Sequence, residues 1–549
     1  MKAHSWKGIG ALFIGILAFI NTASIANSDE LGLKLESALQ FAEEPLANLA
    51  EEVLSSSNQF VDYSNTSGEW NIKNSSTWCS GFVPGLFWYM YDHTGDIIWS
   101  QRARAWTNGV RSRSTAADND TGFQVFDSFG LGYLILGENN EDYLNVMRTA
   151  TNTFSTQRYN PTIGSYRAWT NTSSNPVTNP SITGSTTNPN TMVFEVNIDM
   201  MMNLELPLFI GYRDSNQSYI DESIAHADRT WEDLVRSDGS TFHVVGYNSD
   251  GSVNYKRTHQ GWTTDSTWSR GQAWAVYGYA MVYRYTQLPR MLERAETCFD
   301  FFVSATDAQS ADAIPFSDFN AVLNSQNPRD SSAAAIVASA ALELYDITDD
   351  EKYLNRATAI LTNLASSEYL SEGTSYESIL RKASGKWGEP EVAAIFADYF
   401  FVEASLRYLE MFPLNTSAGK LINISTRGRV GLKEDVLIAG FVIDEGTQLV
   451  AIQALGEELG KDGVSNCLVD PTLTLYDVEE TELAMNDNWG DNADEAQIIT
   501  DLWNENPLFD TGSKSSAIVI ALPSGSYTAV VRGSNDTEGI ALVEVYEID

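Results

Sequence analysis

THQGWTTDSTWSRGQAWAVYGYAMVYRYT, residues 258–286, is the stretch whose reading decides the fold. Its second half carries apolar residues at helical spacing, so a helix is expected over 270–286. Its first half, running from a loop into the start of that helix, crowds His259, Gln260, Trp262, Trp268, Arg270 and Trp274 into a short span. Arg270 and Trp274 lie four residues apart and share a helix face. A planar cation beside indoles, with amide and imidazole groups just upstream, suits an anionic ring such as a uronic acid. The guanidinium can fork onto a carboxylate, and an indole can cover the apolar ring face. A core helix end, with Trp as filler and Arg in a structural ion pair, gives the same residues.

Working outward, residues 28–412 alternate between helical segments and loops. Helices are expected at about 32–54, 81–93, 97–110, 122–136, 140–156, 196–212, 217–236, 270–286, 289–305, 330–347, 350–366 and 392–412. Several share one kind of joint, a polar break followed by an aromatic and then an alanine-bearing helix: GENNEDYLNVMRTA, RDSNQSYIDESIAHA and TDDEKYLNRATAI. That is a degenerate helical-hairpin repeat. Twelve helices in six hairpins can close into an (α/α)6 barrel, a toroid whose loops ring one central mouth; a straight solenoid is the alternative. Uneven, aromatic-rich loops at 157–195 and 237–269 favour the closed ring. The first is rich in Asn, Thr, Ser and Pro, as flexible loops are.

Near 415 the pattern changes to short β-branched runs separated by Gly, Asp, Asn and Ser. LINISTRGRVG, VLIAGFVI, QLVAIQALG, TLTLYDV, AIVIAL, YTAVVRG and IALVEVYEID read as an all-β sandwich domain over 415–549, after a helical domain over 28–414. NDNWGDN (486–492) offers oxygens that could hold calcium, but its spacing does not fit an EF-hand loop and a turn is the simpler reading.

The 549 residues include 34 basic and 73 acidic ones, a formal charge of −39. Such a surface repels nucleic acid and anionic membranes, and any site for an acidic sugar must be a local positive pocket. Residues 1–26 read as a signal peptide, with Lys2 and Lys7 around a short apolar run and small residues before Ala26, so export to a periplasmic or extracellular location is expected. No later stretch is apolar enough to span a membrane in the mature protein. Cys79, Cys298 and Cys467 are far apart, which fits buried thiols rather than a disulfide framework or a metal site.

Asp199, in VFEVNIDMMMNLELPLFI, sits among apolar neighbours that should raise its pKa and make it a proton donor near neutral pH. The plainer role is helix capping, which Asn197 could equally supply. Asp120, in AADNDTGFQVF, lies at an apparent loop-to-helix junction, where capping is the stronger competing role. Two acids flanking a sugar are what glycoside cleavage usually needs. His243 and His259 precede the key helix without a third ligand at metal spacing. Neither a phosphate loop nor a nucleophile elbow occurs.

WCSGFVPGLFW (78–88), NDTGF (119–123), IDMMMNLELPLF (198–209), FHVVGY (242–247), THQGW and STWSRGQAWAVYGYA, RDSSAAAIVASAALEL (329–344) and ADYFFVEASLR (397–407) follow one another in order. In these motifs residues 30–412 resemble glycoside hydrolase family 88, the unsaturated glucuronyl hydrolases. The resemblance implies an (α/α)6 barrel that removes the 4,5-unsaturated uronic acid which polysaccharide lyases leave at the non-reducing end. It implies vinyl-ether hydration without metal or organic cofactor. Asp199 would protonate C4 and help activate water, while Asp120 would hold the sugar and tune Asp199. Trp78 and Trp274 would line the ring, and His243, Gln260 and Arg270 would orient it and its carboxylate.

Two departures stand out. The family often has His before the first aspartate, where this chain has Asn119. The stretch before ADYFF reads RKASGKWGEPE, with Lys382, Lys386 and Trp387, which leaves the preferred polysaccharide open. An unsaturated rhamnogalacturonyl hydrolase, or a secreted non-catalytic carbohydrate-binding protein, is the alternative reading.

Overall fold

The computed structural model describes residues 22–137, 140–169, 194–414, 423–433, 435–460, 464–478, 481–490 and 513–548. Two compact units are present: one holds 416–549 with Met90–Gln101, the other the chain up to Tyr89 and Arg102–Asn415. Residues 1–21 of the expected signal segment, and most of the 157–195 loop, lie outside the described residues.

Twelve α-helices are described. They are α1 (Thr22–Asn48), α2 (Phe82–Thr94), α3 (Ile97–Val110), α4 (Leu131–Ile135), α5 (Glu141–Arg158), α6 (Glu205–Arg213), α7 (Gln217–Leu234), α8 (Ser269–Thr286), α9 (Pro289–Gln309), α10 (Ser331–Thr348), α11 (Glu351–Leu364) and α12 (Ile395–Met411). The recurring joint in the sequence is a capping device. Asn140, Asn216 and Asp350 each accept a backbone N–H from the start of the helix that follows. In each case a tyrosine stands three residues beyond the cap, at 143, 219 and 353.

Burial separates the helices into two kinds. α8 is buried from Ser269 to Val282 and α10 from Ser331 to Leu344, whereas α9 and α11 bury one stripe. α8 packs on α9 and α10, and α10 on α11 and α12. Phe82 and Tyr89 of α2 meet Tyr399 of α12 at 4.8 and 5.3 Å between ring centres. Glu403 of α12 accepts hydrogen bonds from Tyr89 (3.1 Å), Tyr277 (2.9 Å) and Ser339 (2.7 Å). One buried carboxylate thus gathers α2, α8, α10 and α12.

Two expected helices begin differently. Gly122–Gly130 forms a widened π-helical run before α4. The segment expected as a helix over 196–212 opens as a strand, because its β-branched residues pair across a small sheet. Strands β1 (Gln59–Ser64) and β2 (Trp70–Asn74) form one hairpin, and β3 (Tyr159–Asn160) and β4 (Ser165–Tyr166) another. β5 (Phe194–Asn197), β6 (Val244–Tyr247) and β7 (Val253–Arg257) form the three-stranded antiparallel sheet that carries the site. A 3-10 turn, Ile198–Leu204, then leads from β5 into α6.

The C-terminal unit contains β8 (Asn423–Val430), β9 (Leu437–Leu455), β10 (Pro471–Tyr476), β11 (Glu482–Asn486), β12 (Ser516–Gly533) and β13 (Gly539–Ile548). They form one antiparallel sheet in the order β11-β10-β12-β9-β13-β8, rather than the two sheets expected. Four of the expected short runs fuse in pairs into β9 and β12, which stay paired along their length apart from an irregularity at Pro523–Gly525. A single apolar cluster draws Phe441 and Tyr527 from one end of these strands and Ile452 and Ile518 from the other. In the 486–490 part of the candidate calcium turn, the Asn486 side-chain oxygen accepts the Ala517 N–H at 3.0 Å. Cys79 and Cys298 are buried free thiols, while Cys467 is partly exposed.

Candidate active site

β5 runs antiparallel to β6, and Ile198 N–H donates to the His243 carbonyl at 3.0 Å. That bond locks the turn bearing Asp199 to the residue just ahead of β6. His243 Nε2 stands 3.5 Å from Asp199 Oδ2. Both atoms are buried, and neither has a hydrogen-bond partner among the described residues. The Asp199 side chain is nevertheless 17 % exposed, so Oδ1 is the oxygen left to meet a ligand.

The histidine's protonation pattern follows from its neighbours. Nδ1 faces the backbone N–H groups of His259 (3.2 Å) and Gln260 (3.3 Å), which can only donate. Nδ1 therefore accepts, and the ring proton sits on Nε2, facing Asp199. Trp268 stacks on the imidazole with ring centres 4.7 Å apart, fixing its plane.

Asp120 stands where the loop enters the π-helical run. Asn119 donates to Asp120 Oδ2 at 2.8 Å. Asn203, from the same 3-10 turn as Asp199, accepts the Phe123 N–H at 3.1 Å and joins the two segments. Gly122 is required there, because a Cβ would lie 2.5 Å from Asn203 Cα. Burial pushes the Asp120 carboxyl well above the usual carboxylate range, and the charges of Asp118 and Asp199 push it the same way against Arg158 and Asn203. The two expected catalytic acids therefore lie within electrostatic reach of each other.

The Arg270–Trp274 face departs from expectation. Arg270 is 1 % exposed and pairs with Asp330 at 3.0 Å. It also donates to Ser332 Oγ (3.3 Å), to the Ser384 carbonyl and to the Gly385 carbonyl (2.8 Å). Trp268 and Phe396 cover its planes at 4.6 and 4.8 Å. The expected fork onto a substrate carboxylate is corrected to a structural pairing that ties α8 to the start of α10 and to the 384–385 loop. Trp274 is likewise 1 % exposed, packed on Phe123 and Phe400, and offers no open face for a sugar. The cause is common to both: Arg270 and Trp274 form one ridge, and it docks on the Phe396–Phe400 ridge of α12.

Gln260 holds the middle ground. Its Nε2 donates to the Gly385 carbonyl at 3.2 Å, the oxygen that Arg270 also uses. Contacts thus run from Asp199 through His243 and Gln260 to Arg270, although only the first members border the acid. Trp78 stays partly exposed, with ring centres 5.5 Å from Phe123 and 5.0 Å from Phe396. Trp169 was not anticipated. Its ring centre lies 6.3 Å from His243 and 5.8 Å from His259, under the Arg257 guanidinium at 5.0 Å. Its position at the edge of a polar loop gave no periodic signal. Asn203, a lone amide after three methionines, was the readable clue that was missed. Among the described residues, no group of three or more His, Cys, Asp or Glu side chains is arranged to hold a metal.

Two carboxyl groups close enough to perturb one another, one with an uncommitted oxygen beside a histidine, are what acid–base chemistry on a sugar requires. The class defined by this site and its helical scaffold is a glycoside-cleaving enzyme. No family model matches the chain. An unsaturated glucuronyl hydrolase of Formosa agariphila is 39% identical over 340 residues, covering 61% of this chain and 80% of the relative. Among solved structures, an unsaturated glucuronyl hydrolase specific for heparin is 31% identical with a TM-score of 0.62, over 70% of this chain and 98% of that one. Another, carrying dGlcA-Glc-Rha-Glc, is 26% identical with a TM-score of 0.59, over 68% and 96%. The chain belongs to the unsaturated glucuronyl hydrolases, so the resemblance carried by its motifs holds over the larger part of its length.

Proposed function

We propose that the protein removes the 4,5-unsaturated uronic acid from the non-reducing end of oligosaccharides made by polysaccharide lyases, and that Asp199 supplies the reacting proton. The observation that carries this reading is the carboxyl of Asp199, partly exposed and without a hydrogen-bond partner at Oδ2, which faces His243 Nε2 at 3.5 Å. An acid fully bonded into the fold could not give up and regain a proton without breaking structure.

The ring C4=C5 bond of such a sugar is a vinyl ether. Protonation of C4 by Asp199 moves the alkene electrons and leaves an oxocarbenium centre at C5. Water attacks C5 and gives its proton to the Asp199 carboxylate, restoring the acid. The C5 hemiketal then opens to a ketone, and the hemiacetal this leaves at C1 collapses to an aldehyde, expelling the remaining oligosaccharide as an alcohol. His243, oriented by the two backbone N–H groups, keeps Oδ2 in place while Oδ1 meets the alkene carbon. Asp120, with its raised pKa, is suited to bind the sugar hydroxyls partly as a neutral acid. Trp78 and Trp169 are both partly exposed, and each is suited to cover a face of the ring.

The scaffold proposed for this chemistry is a closed (α/α)6 ring. Contact between α2 and α12, and the meeting of four helices on Glu403, support closure over an open solenoid. Export is proposed with it, on the signal-like run at 1–26, since lyase products form where polysaccharide is degraded.

The test is the near-ultraviolet absorbance of the conjugated ene-carboxylate, followed on a panel of lyase digests. Absorbance should fall with wild type and persist with Asp199→Asn. Absorbance that persists with folded wild type across the panel would overturn the reading.

A further inference from the structure

A cavity beside Asn119 and Asp120 takes no part in the chemistry above. It encloses about 310 Å³ and is lined in part by Asp118, Asn119, Gln157, Arg158 and Arg167. Two guanidinium groups therefore share one hollow in a chain whose formal charge is −39.

Their bonding differs. Arg158, at the end of α5, is anchored: Nε donates to the Ala117 carbonyl at 2.6 Å, and Nη1 to the carbonyls of Arg167 (3.4 Å) and Ala168. Arg167 has no ion pair among the described residues, and its Nε is buried without a hydrogen-bond partner. Other cations of the region are paired. Arg257 makes a double contact with Glu195, Arg270 pairs with Asp330, and Lys386 lies 3.0 Å from Glu389. The carboxylate in the lining, Asp118, is already matched by Arg113. The surplus charge in the cavity is therefore positive. Burial and then the Arg167 charge depress the pKa of Arg158, against the charges of Asp118 and Asp120. An anion between the two groups would relieve both conditions.

Both walls of the cavity continue into the site. On one, Asn119 donates to Asp120 Oδ2 at 2.8 Å. On the other, the Ala168 N–H donates to the Glu195 carbonyl at 2.8 Å, so residues 167–169 extend the edge of β5. In such an extended segment the side chains of 167 and 169 emerge on the same side, roughly 7 Å apart along the backbone. Trp169 borders His243, and Arg167 borders the cavity.

We propose that this cavity is an oxyanion subsite: Arg167, backed by Arg158, receives a sulfate ester or carboxylate of the oligosaccharide whose unsaturated ring lies at Asp199 and Asp120. Guanidinium geometry matches either group with paired N–H donors, and the amides of Gln157 and Asn119 add further polar contacts. The proposal rests on the reading of the active site given above.

The test compares full-length wild type with Arg167→Gln and Arg167→Lys on three unsaturated substrates. One is a disaccharide with a neutral second sugar, one is its sulfated counterpart, and one is a tetrasaccharide with an internal uronate. Arg167→Gln should lower kcat/KM about tenfold through KM on one anionic substrate, and leave the neutral disaccharide within about twofold. Arg167→Lys, which keeps the charge but loses the fork, should fall between. The anionic substrate affected tells sulfate from carboxylate. Equal slowing of all three substrates, or of none, overturns the subsite while leaving the enzyme reading intact. A wild type that turns over none of them overturns both.

Discussion

Two polar groupings lie at opposite ends of one chain of contacts. At one end Asp199 Oδ2 and His243 Nε2 are buried 3.5 Å apart with no hydrogen-bond partner among the described residues. At the other, Arg270 is enclosed by Asp330, Ser332, two carbonyls and two aromatic planes. Read as residue types, the arginine looks the more suggestive ligand group. Satisfied groups, however, hold structure, because breaking their bonds costs stability. An acid that is partly exposed and not tied into the fold by hydrogen bonds, as Asp199 is, can change its protonation without breaking such bonds.

Substitutions at the two ends should separate activity from stability. Asp199→Asn should cut kcat by about 10³-fold, within the range of general acid–base catalysis, and leave the melting temperature nearly unchanged. A variant retaining a tenth of wild-type kcat would remove the contrast. Arg270→Met should instead destabilise by about 3–5 kcal/mol, because Asp330 is left buried and uncompensated. Adding Asp330→Asn should recover part of that loss in a denaturant titration. If Arg270→Met melts like wild type and only raises KM, the arginine belongs with the ligand after all.

Two smaller effects sharpen the comparison through pH. Asp398 accepts the N–H groups of Ile379 (3.1 Å) and Leu380 (2.7 Å), yet burial pushes its carboxyl up to about 8. Over the window between its ordinary value and about 8, the folded state keeps a proton that the unfolded state has released. Stability contributed by Asp398 is therefore full in acid and declines as pH rises across that window. Asp398→Asn should flatten the slope of melting temperature against pH, while lowering its level by one lost hydrogen bond. An unchanged slope would show that Asp398 does not hold the proton. Asp120 has the same sign, with a carboxyl raised by burial and by Asp118 and Asp199. Asp120→Asn should therefore raise the melting temperature at neutral pH, by about 2 °C, while impairing turnover. A lower melting temperature would mean that its charge stabilises the fold.

The helical part of the fold could be read because its signals are local. Periodicity marked the helices, and the cap-and-tyrosine joints at 140–143, 216–219 and 350–353 marked their starts. Residues 194–204 could not be read as strand and 3-10 turn, since that conformation depends on β6 more than forty residues later. The same holds for the C-terminal sheet, where β9 and β12 join expected short strands through long-range pairing. The candidate site residues followed the same rule. Asp199, Asp120 and His243 stood out through their motifs. The partner of Arg270, sixty residues on at Asp330, could not be seen, nor could the approach of Trp169 to His243.

Turnover in D2O, with the released keto sugar examined by NMR before solvent exchange, tests the role of Asp199 most directly. A fixed acid on one side of the ring should leave a single deuteron at C4, on one face only. Deuterium on both faces would mean that solvent protonates the alkene, and none at C4 would mean that the glycosidic bond is cut without hydration; either result contradicts proton delivery by Asp199.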